Sequence, residues 1–278
     1  MCCSVLPLLV GLSPAVLLLL QVLDLSTQAV HLEDYSHSHQ GSEWHKKQFC
    51  KWKCLQLTLQ WPAGFCQSLK EESLCAIPQS INNWTIHGLW PLKAWGCCSC
   101  WPMFQSDIQE LEVELNEYWP SLLKTRSSFH FWREEWEKHG ACAACVEGMN
   151  SPLRYFQISL KLRQQFDIHR VLEAAAVTPS CDRMYKVSEV HQVLAPHLGL
   201  HHMIQCVTDQ QGREVWFQVK IPLSHNLTIG CDHYGDTDRD SASRSGLRQN
   251  TSPGHPCLDE VPFYYLPIDH QRPQRPCD

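Results

Sequence analysis

The sequence predicts an α+β domain held together by disulfide bonds. Segments with the period of a strand and segments with the period of a helix both occur, and they do not follow the regular alternation of a parallel α/β fold. The 278 residues include sixteen cysteines, which indicates a disulfide framework if the chain folds in an oxidising compartment. The length that follows the apolar N-terminus suits one globular domain with a substantial core.

Strand patterns occur in two early and two late segments. Residues 54–61 alternate apolar and polar side chains and end before Pro62. Residues 84–89, 203–207 and 214–221 are further strand candidates. We expect these segments to form the sheet of the domain.

Helix patterns lie mainly in the middle of the chain. In residues 106–118 apolar side chains recur at spacings of three and four, and Ser106 is a candidate N-cap. Further helices are predicted over residues 129–146, 153–166 and 188–198, the last ending near Pro196.

The N-terminal segment carries a long apolar run. Residues 5–23 contain one Gln and no charged side chain, and Asp24 is the only charged residue before His31. A run of this length could cross a bilayer, so a membrane anchor is the alternative. Its position and the small residues after it favour a cleaved signal peptide over residues 1–29, although no Lys or Arg precedes the run. We predict entry into the secretory pathway, secretion or a lysosomal destination, and no stable membrane anchor.

Three N-glycosylation sequons agree with this route. They begin at Asn83, Asn226 and Asn250. Cys2 and Cys3 lie inside the predicted signal peptide, so the other cysteines are the ones available for disulfide bonds.

The charge balance is mildly acidic at neutral pH and changes strongly on acidification. The formal net charge is −6, which argues against tight non-specific binding of nucleic acid at neutral pH. Protonation of all sixteen histidines would bring the charge to +10, so a polyanion would bind better in an acidic compartment. Composition alone equally allows these to be ordinary surface histidines.

Two short segments place histidines in aromatic, apolar surroundings. They are WTIHGLWP at residues 84–91 and FWREEWEKHG at residues 131–140. In-line cleavage of a phosphoester needs one group that accepts a proton and one that donates a proton, and His87 and His139 could fill these roles. Glu135 and His139 are four residues apart in a predicted helix, so they share one face with Lys138 beside them. Taken singly, such a Glu–His pair is usually a solvated helix face, and a lone histidine in an apolar strand is usually structural.

Together the two segments resemble the two active-site signatures of the ribonuclease T2 family of secreted acid ribonucleases. Further agreement is found at residues 57–62, Gly96-Cys97, Trp101-Pro102, Cys142 and residues 262–264. The resemblance covers residues 44–267 and implies a ribonuclease T2-like fold, with a central, mainly antiparallel sheet packed by several helices. Residues 30–43 then form a linker and residues 268–278 a C-terminal tail, and the polar residues 235–256 form a surface loop.

The resemblance implies an endoribonuclease that cleaves single-stranded RNA through a 2′,3′-cyclic phosphate, without a metal or other cofactor. His139 would be the general base on the 2′-OH, and His87 would be the general acid on the 5′-oxygen. Glu135 and Lys138 would stabilise the charge of the pentacoordinate phosphorane. DNA has no 2′-OH and should not be cleaved. We expect the protein to act as a monomer.

Two residues depart from the family pattern. The family usually has a phosphate-binding histidine just before the helix glutamate, where this chain has Glu134. A carboxylate there repels the substrate phosphate and would lower the rate by roughly 30- to 1000-fold, with Arg133 compensating in part. Ala141 stands where a threonine is common, which is a milder change. We expect a working but weakened enzyme. The alternative is a catalytically inactive secreted protein that binds RNA or signals.

The resemblance also implies three disulfide bonds, Cys66–Cys75, Cys97–Cys142 and Cys206–Cys257. Cys231 lacks its expected partner, because the matching position is close to Lys220. Cys145 lies about one helical turn after the Cys97–Cys142 bridge, and we expect it to form a second bridge with Cys98 or Cys100.

The clustered cysteines leave two other interpretations open. Close thiolates at residues 97–100 and 142–145 could bind zinc, although an oxidising lumen disfavours this. The CxxC spacing of Cys142 and Cys145 also occurs in thiol oxidoreductases, but there it opens a helix, whereas here it falls within a predicted one.

The chain is rich in tryptophan, with eleven in total. Aromatic rings can stack on the bases of single-stranded RNA, but most of these tryptophans should be core residues. Trp61, Trp90 and Trp101 are the candidates for walls of the RNA cleft.

Overall fold

The computed structural model describes residues 51–69, 71–94, 97, 100–231 and 254–278. They fall in the unit Phe49–Asp278 of the chain. The predicted signal peptide (residues 1–29), the linker (residues 30–43), most of the polar loop, Asn250 and Cys98 lie outside the described residues. Within the described ranges, no helix is long and apolar enough to cross a membrane.

A mainly antiparallel sheet forms the centre of the fold. Its described strands are β1 (Cys54–Gln60), β2 (Thr85–Pro91), β3 (Met184–Tyr185), β4 (Met203–Thr208), β5 (Glu214–Ser224), β6 (His255–Pro256) and β7 (Phe263–Tyr264). The spatial order is β2-β1-β5-β4-β6. β7 pairs with β3 and with β5, and its pairing with β5 is the one parallel contact between these described strands. The predicted α+β class and antiparallel sheet are confirmed.

Helices cover the sheet and fill the connections. They are α1 (Pro62–Gln67), α2 (Glu112–Tyr118), α3 (Ser128–Glu135), α4 (Ala141–Ala143), α5 (Pro152–Gln165), α6 (Ile168–Ala174) and α7 (Val187–Leu198). A π-helical segment, Trp136–Gly140, joins α3 to α4, and 3₁₀ turns occur at Glu72–Leu74, Gln105–Asp107 and Gln109–Leu111. α5 packs against β1 and β2.

The two faces of β1 differ in chemistry although both are buried. Leu55, Leu57 and Leu59 are fully buried, and each contributes about 2 kcal/mol to stability through the apolar area removed from water. The alternate residues are Gln56, Thr58 and Gln60, and they too are almost inaccessible to solvent. This polar face of the sheet carries the candidate site.

The helix predicted over residues 106–118 begins only at Glu112, so this prediction was wrong in its first half. The backbone of Ile108 leaves the helical region, with φ −130° and ψ 12°. Ser106 is therefore not an N-cap, and the Asp107 carboxylate accepts a hydrogen bond from the backbone N–H of Phe104 at 2.7 Å. α1 and α6 have no counterpart among the predicted helices, because each is only about two turns long.

Disulfide bonds tie the connections to the sheet. They join Cys54–Cys231, Cys66–Cys75, Cys97–Cys142, Cys181–Cys277 and Cys206–Cys257. The expectation that Cys231 lacks a partner was wrong. A bridge between Leu223 and Ile229 turns the chain back after β5 and brings Cys231 to the start of β1.

The remaining cysteines near the second motif are also oxidised. Cys100 and Cys145 are both disulfide-bonded, as are Cys97 and Cys142. Zinc ligation and thiol exchange both need thiolates, so neither interpretation applies to these four cysteines.

Candidate active site

A β-bulge sets the position of His87. In the pairing of β2 with β1 the register shifts after Thr58, and His87 is the extra residue of β2. Bulges re-aim a side chain relative to a regular strand, and they are common next to active sites. The carbonyl of His87 accepts a hydrogen bond from the indole N–H of Trp119 at 3.0 Å, which fixes the strand here.

Three side chains hold the ring of His87. Nδ1 lies 2.6 Å from the amide nitrogen of Gln218 on β5, so in this amide orientation Nδ1 accepts and the ring proton is on Nε2. Trp90 meets the ring edge-on, with centres 5.0 Å apart, and the ring centre of Phe131 is 6.2 Å away. The imidazole is therefore fixed in place and its tautomer is set by a neighbour on another strand.

The pKa of His87 is far below its ordinary value. Burial is the main cause and lowers the pKa to about 3, with further lowering by the positive charges of His139, Lys220 and Arg126. A bound anion would oppose both effects and raise the pKa of His87.

Tryptophans hold the helical stretch that carries the second histidine. Trp132 and Trp136 are buried. The indole N–H of Trp132 donates to the carbonyl of Trp119, and that of Trp136 donates to the carbonyl of Trp101, at 2.7 and 2.9 Å. This face of the helix is thus fixed to the core, and the other face is turned toward the site.

The helix is irregular where its catalytic candidates lie. The helix predicted over residues 129–146 is confirmed over residues 128–143, but Trp136–Gly140, which include Lys138 and His139, form a π-helical turn within it. A π turn inserts a residue and rotates the side chains after it about the helix axis, and such turns are frequent at functional sites. Glu135 and His139 therefore do not have the simple α-helical stacking that their spacing predicts.

Glu135 is buried and bonded to Trp90. The residue is 6% exposed, and its Oε2 accepts a hydrogen bond from the indole N–H of Trp90 at 2.8 Å. Any side chain at Gly88 would overlap both groups, so glycine is required there. Burial raises the pKa of Glu135 to about 7, even though the hydrogen bond from Trp90 acts in the opposite direction.

His139 lies beside a cavity of about 500 Å³. The cavity is lined by residues that include Trp90, Leu92, Lys93, Glu137, Lys138 and His139. The ring centre of His139 is 5.3 Å from that of Trp90. Burial lowers the pKa of His139 to about 4, and the charge of Lys138 adds to this.

Glu134 is the centre of an ion-pair cluster. Arg126 and Lys138 both contact its Oε2, Lys138 at 2.5 Å, and Nε2 of His130 lies 3.2 Å from Oε1. Burial tends to raise the pKa of Glu134, but the hydrogen bond from Lys138 and the charge of Arg126 outweigh it and lower the pKa. The repulsion expected between Glu134 and a substrate phosphate is thus opposed by two adjacent cations.

The three candidate cleft tryptophans have different surroundings. Trp61 is 2% exposed, packs on Tyr265, and donates its indole N–H to the carbonyl of Leu266 at 2.7 Å. It is a core residue, so its prediction as a cleft wall was wrong. Trp90 lies at the cleft, and Trp101 is 39% exposed.

The two described sequons lie at the surface or near it. Asn226 is exposed in the turn after β5. Asn83 is partly exposed, and its amide oxygen accepts hydrogen bonds from Arg163 and from the backbone of Trp84. Both bonds use the oxygen and not the nitrogen to which a glycan attaches, so glycosylation at Asn83 stays a prediction that the geometry allows.

Two side chains at the site are absent from the sequence-predicted set. Gln218 has one signal, since it is a polar residue between the apolar Phe217 and Val219. It lies opposite Gln60 on β1. Arg126 has none, because it lies in the connection before α3 and no motif marks it.

Comparisons with known proteins show the family of this chain. The sequence profile of the Ribonuclease T2 family matches residues 52–238. The chain is 31% identical to ribonuclease T2 of Danio rerio over 243 residues, which are 86% of this chain and 95% of that protein. It is 28% identical to ribonuclease Oy of Magallana gigas over 225 residues, 78% of this chain and 97% of that protein. The crystal structure of human RNase T2 aligns with a TM-score of 0.61 and 30% identity, covering 78% of this chain and 99% of that chain.

Proposed function

The chain belongs to the ribonuclease T2 family, and from this premise we propose that it is an endoribonuclease that cleaves single-stranded RNA by metal-independent acid–base transesterification. The supporting observation is that His87, Glu135 and His139 all contact one side chain, Trp90. A strand and a helix thereby bring two imidazoles and a carboxyl together, as general acid–base catalysis of this reaction requires.

In the proposed reaction His139 takes the proton from the 2′-OH. The 2′-oxygen attacks phosphorus, and the product is a 2′,3′-cyclic phosphate. His87 gives a proton to the departing 5′-oxygen. Because Nδ1 of His87 faces Gln218, Nε2 is the atom that donates.

The protonation state of Glu135 supports an acidic working range. With a pKa of about 7, its carboxyl is neutral at pH 4 to 5. A neutral carboxyl does not repel the phosphate and can donate a hydrogen bond to an equatorial oxygen of the phosphorane. Glu135 therefore acts as a donor in the acidic range, and this role weakens as the carboxyl ionises.

In the protein without substrate, the pKa values of the two histidines stand in the reverse order from the one that the reaction needs. With pKa values of about 3 for His87 and about 4 for His139, both rings are neutral at pH 7. The reaction needs His87 protonated and His139 neutral. A phosphate bound beside His87 offsets the positive charges of Lys220 and Arg126, so it raises the pKa of the acid.

Substrate and compartment follow from the same chemistry. The nucleophile is the 2′-OH, so DNA should not be cleaved. The disulfide framework suits an oxidising compartment, in agreement with a secreted or lysosomal protein. We expect the monomer to be the active form.

The test is cleavage of a short single-stranded RNA by the oxidised protein between about pH 4 and 8, with EDTA present. We expect an acidic optimum, a 2′,3′-cyclic phosphate product and loss of cleavage in His87→Phe. His201→Phe is the matched control, because His201 is exposed on the surface. A folded wild-type protein that binds RNA without any cyclic product would instead support the inactive binding protein.

A further inference from the structure

Arg126 lies at the entrance to α3 and next to the candidate site. It precedes α3 by two residues, and its backbone N–H donates to the carbonyl of Leu123 at 3.2 Å. Its guanidinium carbon is 5.1 Å from the centre of the Phe131 ring, a cation–π distance. The ring of Phe131 is in turn 6.2 Å from that of His87. Arg126 is therefore separated from the proposed acid by a single aromatic ring.

The charge of Arg126 acts on the catalytic candidates. The pKa of His87 is lowered first by burial, then by the charges of His139 and Lys220, and then by that of Arg126. The pKa of Glu135 is raised by burial, and the charge of Arg126 acts against this rise. A side chain with influence on both groups is close enough to act on an anion bound between them.

Glu134 anchors this arginine without cancelling the positive charge of the cluster. One carboxylate oxygen of Glu134 contacts both Arg126 and Lys138. Two cations around one anion leave a net positive charge. The side chain of Arg126 is 24% exposed, and its Nε has no hydrogen-bond partner among the described residues, so the guanidinium is not fully used by its contact with Glu134.

We propose that Arg126, held by Glu134, is the phosphate-binding cation of this active site and replaces the histidine that the family usually carries at position 134. This inference rests on the proposed function. A guanidinium presents two parallel donors to a phosphate, and it stays charged at every pH at which the enzyme works. Glu134 is then the residue that orients the phosphate-binding group, and the exchange of His for Glu does not by itself remove phosphate binding.

The test compares Arg126→Gln and Arg126→Lys with the wild type. Steady-state cleavage of a short RNA gives kcat and KM, and inorganic phosphate serves as a competitive inhibitor. We expect Arg126→Gln to lower kcat/KM by about 30-fold or more and to weaken phosphate inhibition by a similar factor. The kcat/KM of Arg126→Lys should lie between the values of the wild type and Arg126→Gln, because lysine keeps the charge but not the paired donors. Arg154→Gln is the control, since it removes the same charge from the exposed side of α5.

A second variant tests the pairing with position 134. Adding Glu134→His to Arg126→Gln should raise kcat/KM near pH 5 at least tenfold above that of Arg126→Gln alone, because it supplies the cation of the usual family pattern. A double variant no better than Arg126→Gln would contradict the proposal. So would an Arg126→Gln enzyme with the kinetics and phosphate inhibition of Arg154→Gln.

The outcome for Arg126 can be separated from that for the proposed function. If the folded wild type cleaves no RNA, the proposed function fails, and direct binding of inorganic phosphate still tests the arginine. Binding that is lost in Arg126→Gln and kept in Arg154→Gln would then support the phosphate site alone. Equal binding in both variants would overturn it. Thermal unfolding of each variant shows whether a loss reflects the site or the fold.

Discussion

The indole nitrogen of Trp90 lies 2.8 Å from Oε2 of Glu135. The same indole meets His87 at a ring-centre distance of 5.0 Å and His139 at 5.3 Å. Trp90 thus links a strand to a helix and contacts all three proposed catalytic side chains. Its N–H is the hydrogen-bond donor to a buried carboxyl, so the ring orients Glu135 as well as packing beside the histidines.

Replacing Trp90 with Phe should lower activity without unfolding the protein. Phe keeps an aromatic ring between the histidines but removes the N–H, which leaves Oε2 of Glu135 without this donor. Losing a hydrogen bond to a buried carboxyl should cost about tenfold in kcat and raise the pKa of Glu135 further. The measurement is kcat against pH. Trp61→Phe is the control, since it removes the N–H of a core indole that donates to Leu266 and not to Glu135, and equal effects of the two changes would contradict the role given to Trp90.

The effect of Glu135→Gln on activity should depend on pH. At pH 4 to 5 the carboxyl is protonated, and an amide replaces it as a hydrogen-bond donor, so we expect activity within about tenfold of wild type. Above pH 7 the wild type carries an anion that repels the phosphate, so the difference should shrink or reverse. Glu117→Gln, on the exposed side of α2, is the control. A loss that is equally large at all pH values would show that the ionised carboxylate is required.

The pKa of Glu135 also predicts how stability changes with pH. Its pKa rises from 4.5 in the unfolded chain to about 7 in the fold, mainly through burial. The folded state therefore holds a proton that the unfolded state loses, and its contribution to stability is complete below pH 4.5 and is lost as the pH rises through 7. We expect the wild type to lose about 3 kcal/mol relative to Glu135→Gln over this interval. Chemical unfolding of both proteins at several pH values measures it, and parallel curves would contradict the assigned burial.

Gln218→Glu should move the pH optimum upward. The amide of Gln218 is 2.6 Å from Nδ1 of His87, and a carboxylate there would stabilise the imidazolium and raise the pKa of His87. We expect the optimum of kcat to rise by about one pH unit or more. Gln218→Met removes the amide without adding charge, so it should reduce activity and leave the optimum in place. NMR titration of His87 checks the same shift directly, and an unchanged titration would show that Gln218 has no positioning role.

The sequence predicts the parts of this fold that depend on periodicity. The alternation of Leu55, Leu57 and Leu59 with polar residues marks β1, because a strand repeats every two residues. The strong motif at residues 131–140 marks the helix that carries His139. Both predictions depend only on local pattern, which is why they agree with the structure.

Other features depend on tertiary contacts and leave no local pattern. The β-bulge at His87 is a matter of register between two strands, and the π turn at His139 occurs in a segment with strong helical periodicity. Arg126 reaches the site from a loop, through contacts with Phe131 and Glu134 that spacing cannot reveal. Trp61 was misassigned for the same reason, because an aromatic residue after a strand can face either the core or a cleft.

The disulfide Cys97–Cys142 should matter for activity beyond its effect on stability. It ties the connection after β2 to the helix three residues beyond His139, whereas Cys181–Cys277 ties the C-terminal tail at a distance from these residues in sequence. Chain-entropy arguments give similar stabilisation for the two loops, about 4 and about 5 kcal/mol. Replacing both cysteines of each pair with alanine should therefore lower the unfolding midpoint comparably.

The effect on activity should differ between the two double variants when kcat is measured below both midpoints. We expect kcat to fall more than about tenfold without the Cys97–Cys142 bond and to stay near wild type without the Cys181–Cys277 bond. The reason is that only the first bond holds His139 against the strand that carries His87. Equal activities in the two folded variants would show that the tryptophan contacts alone position the helix.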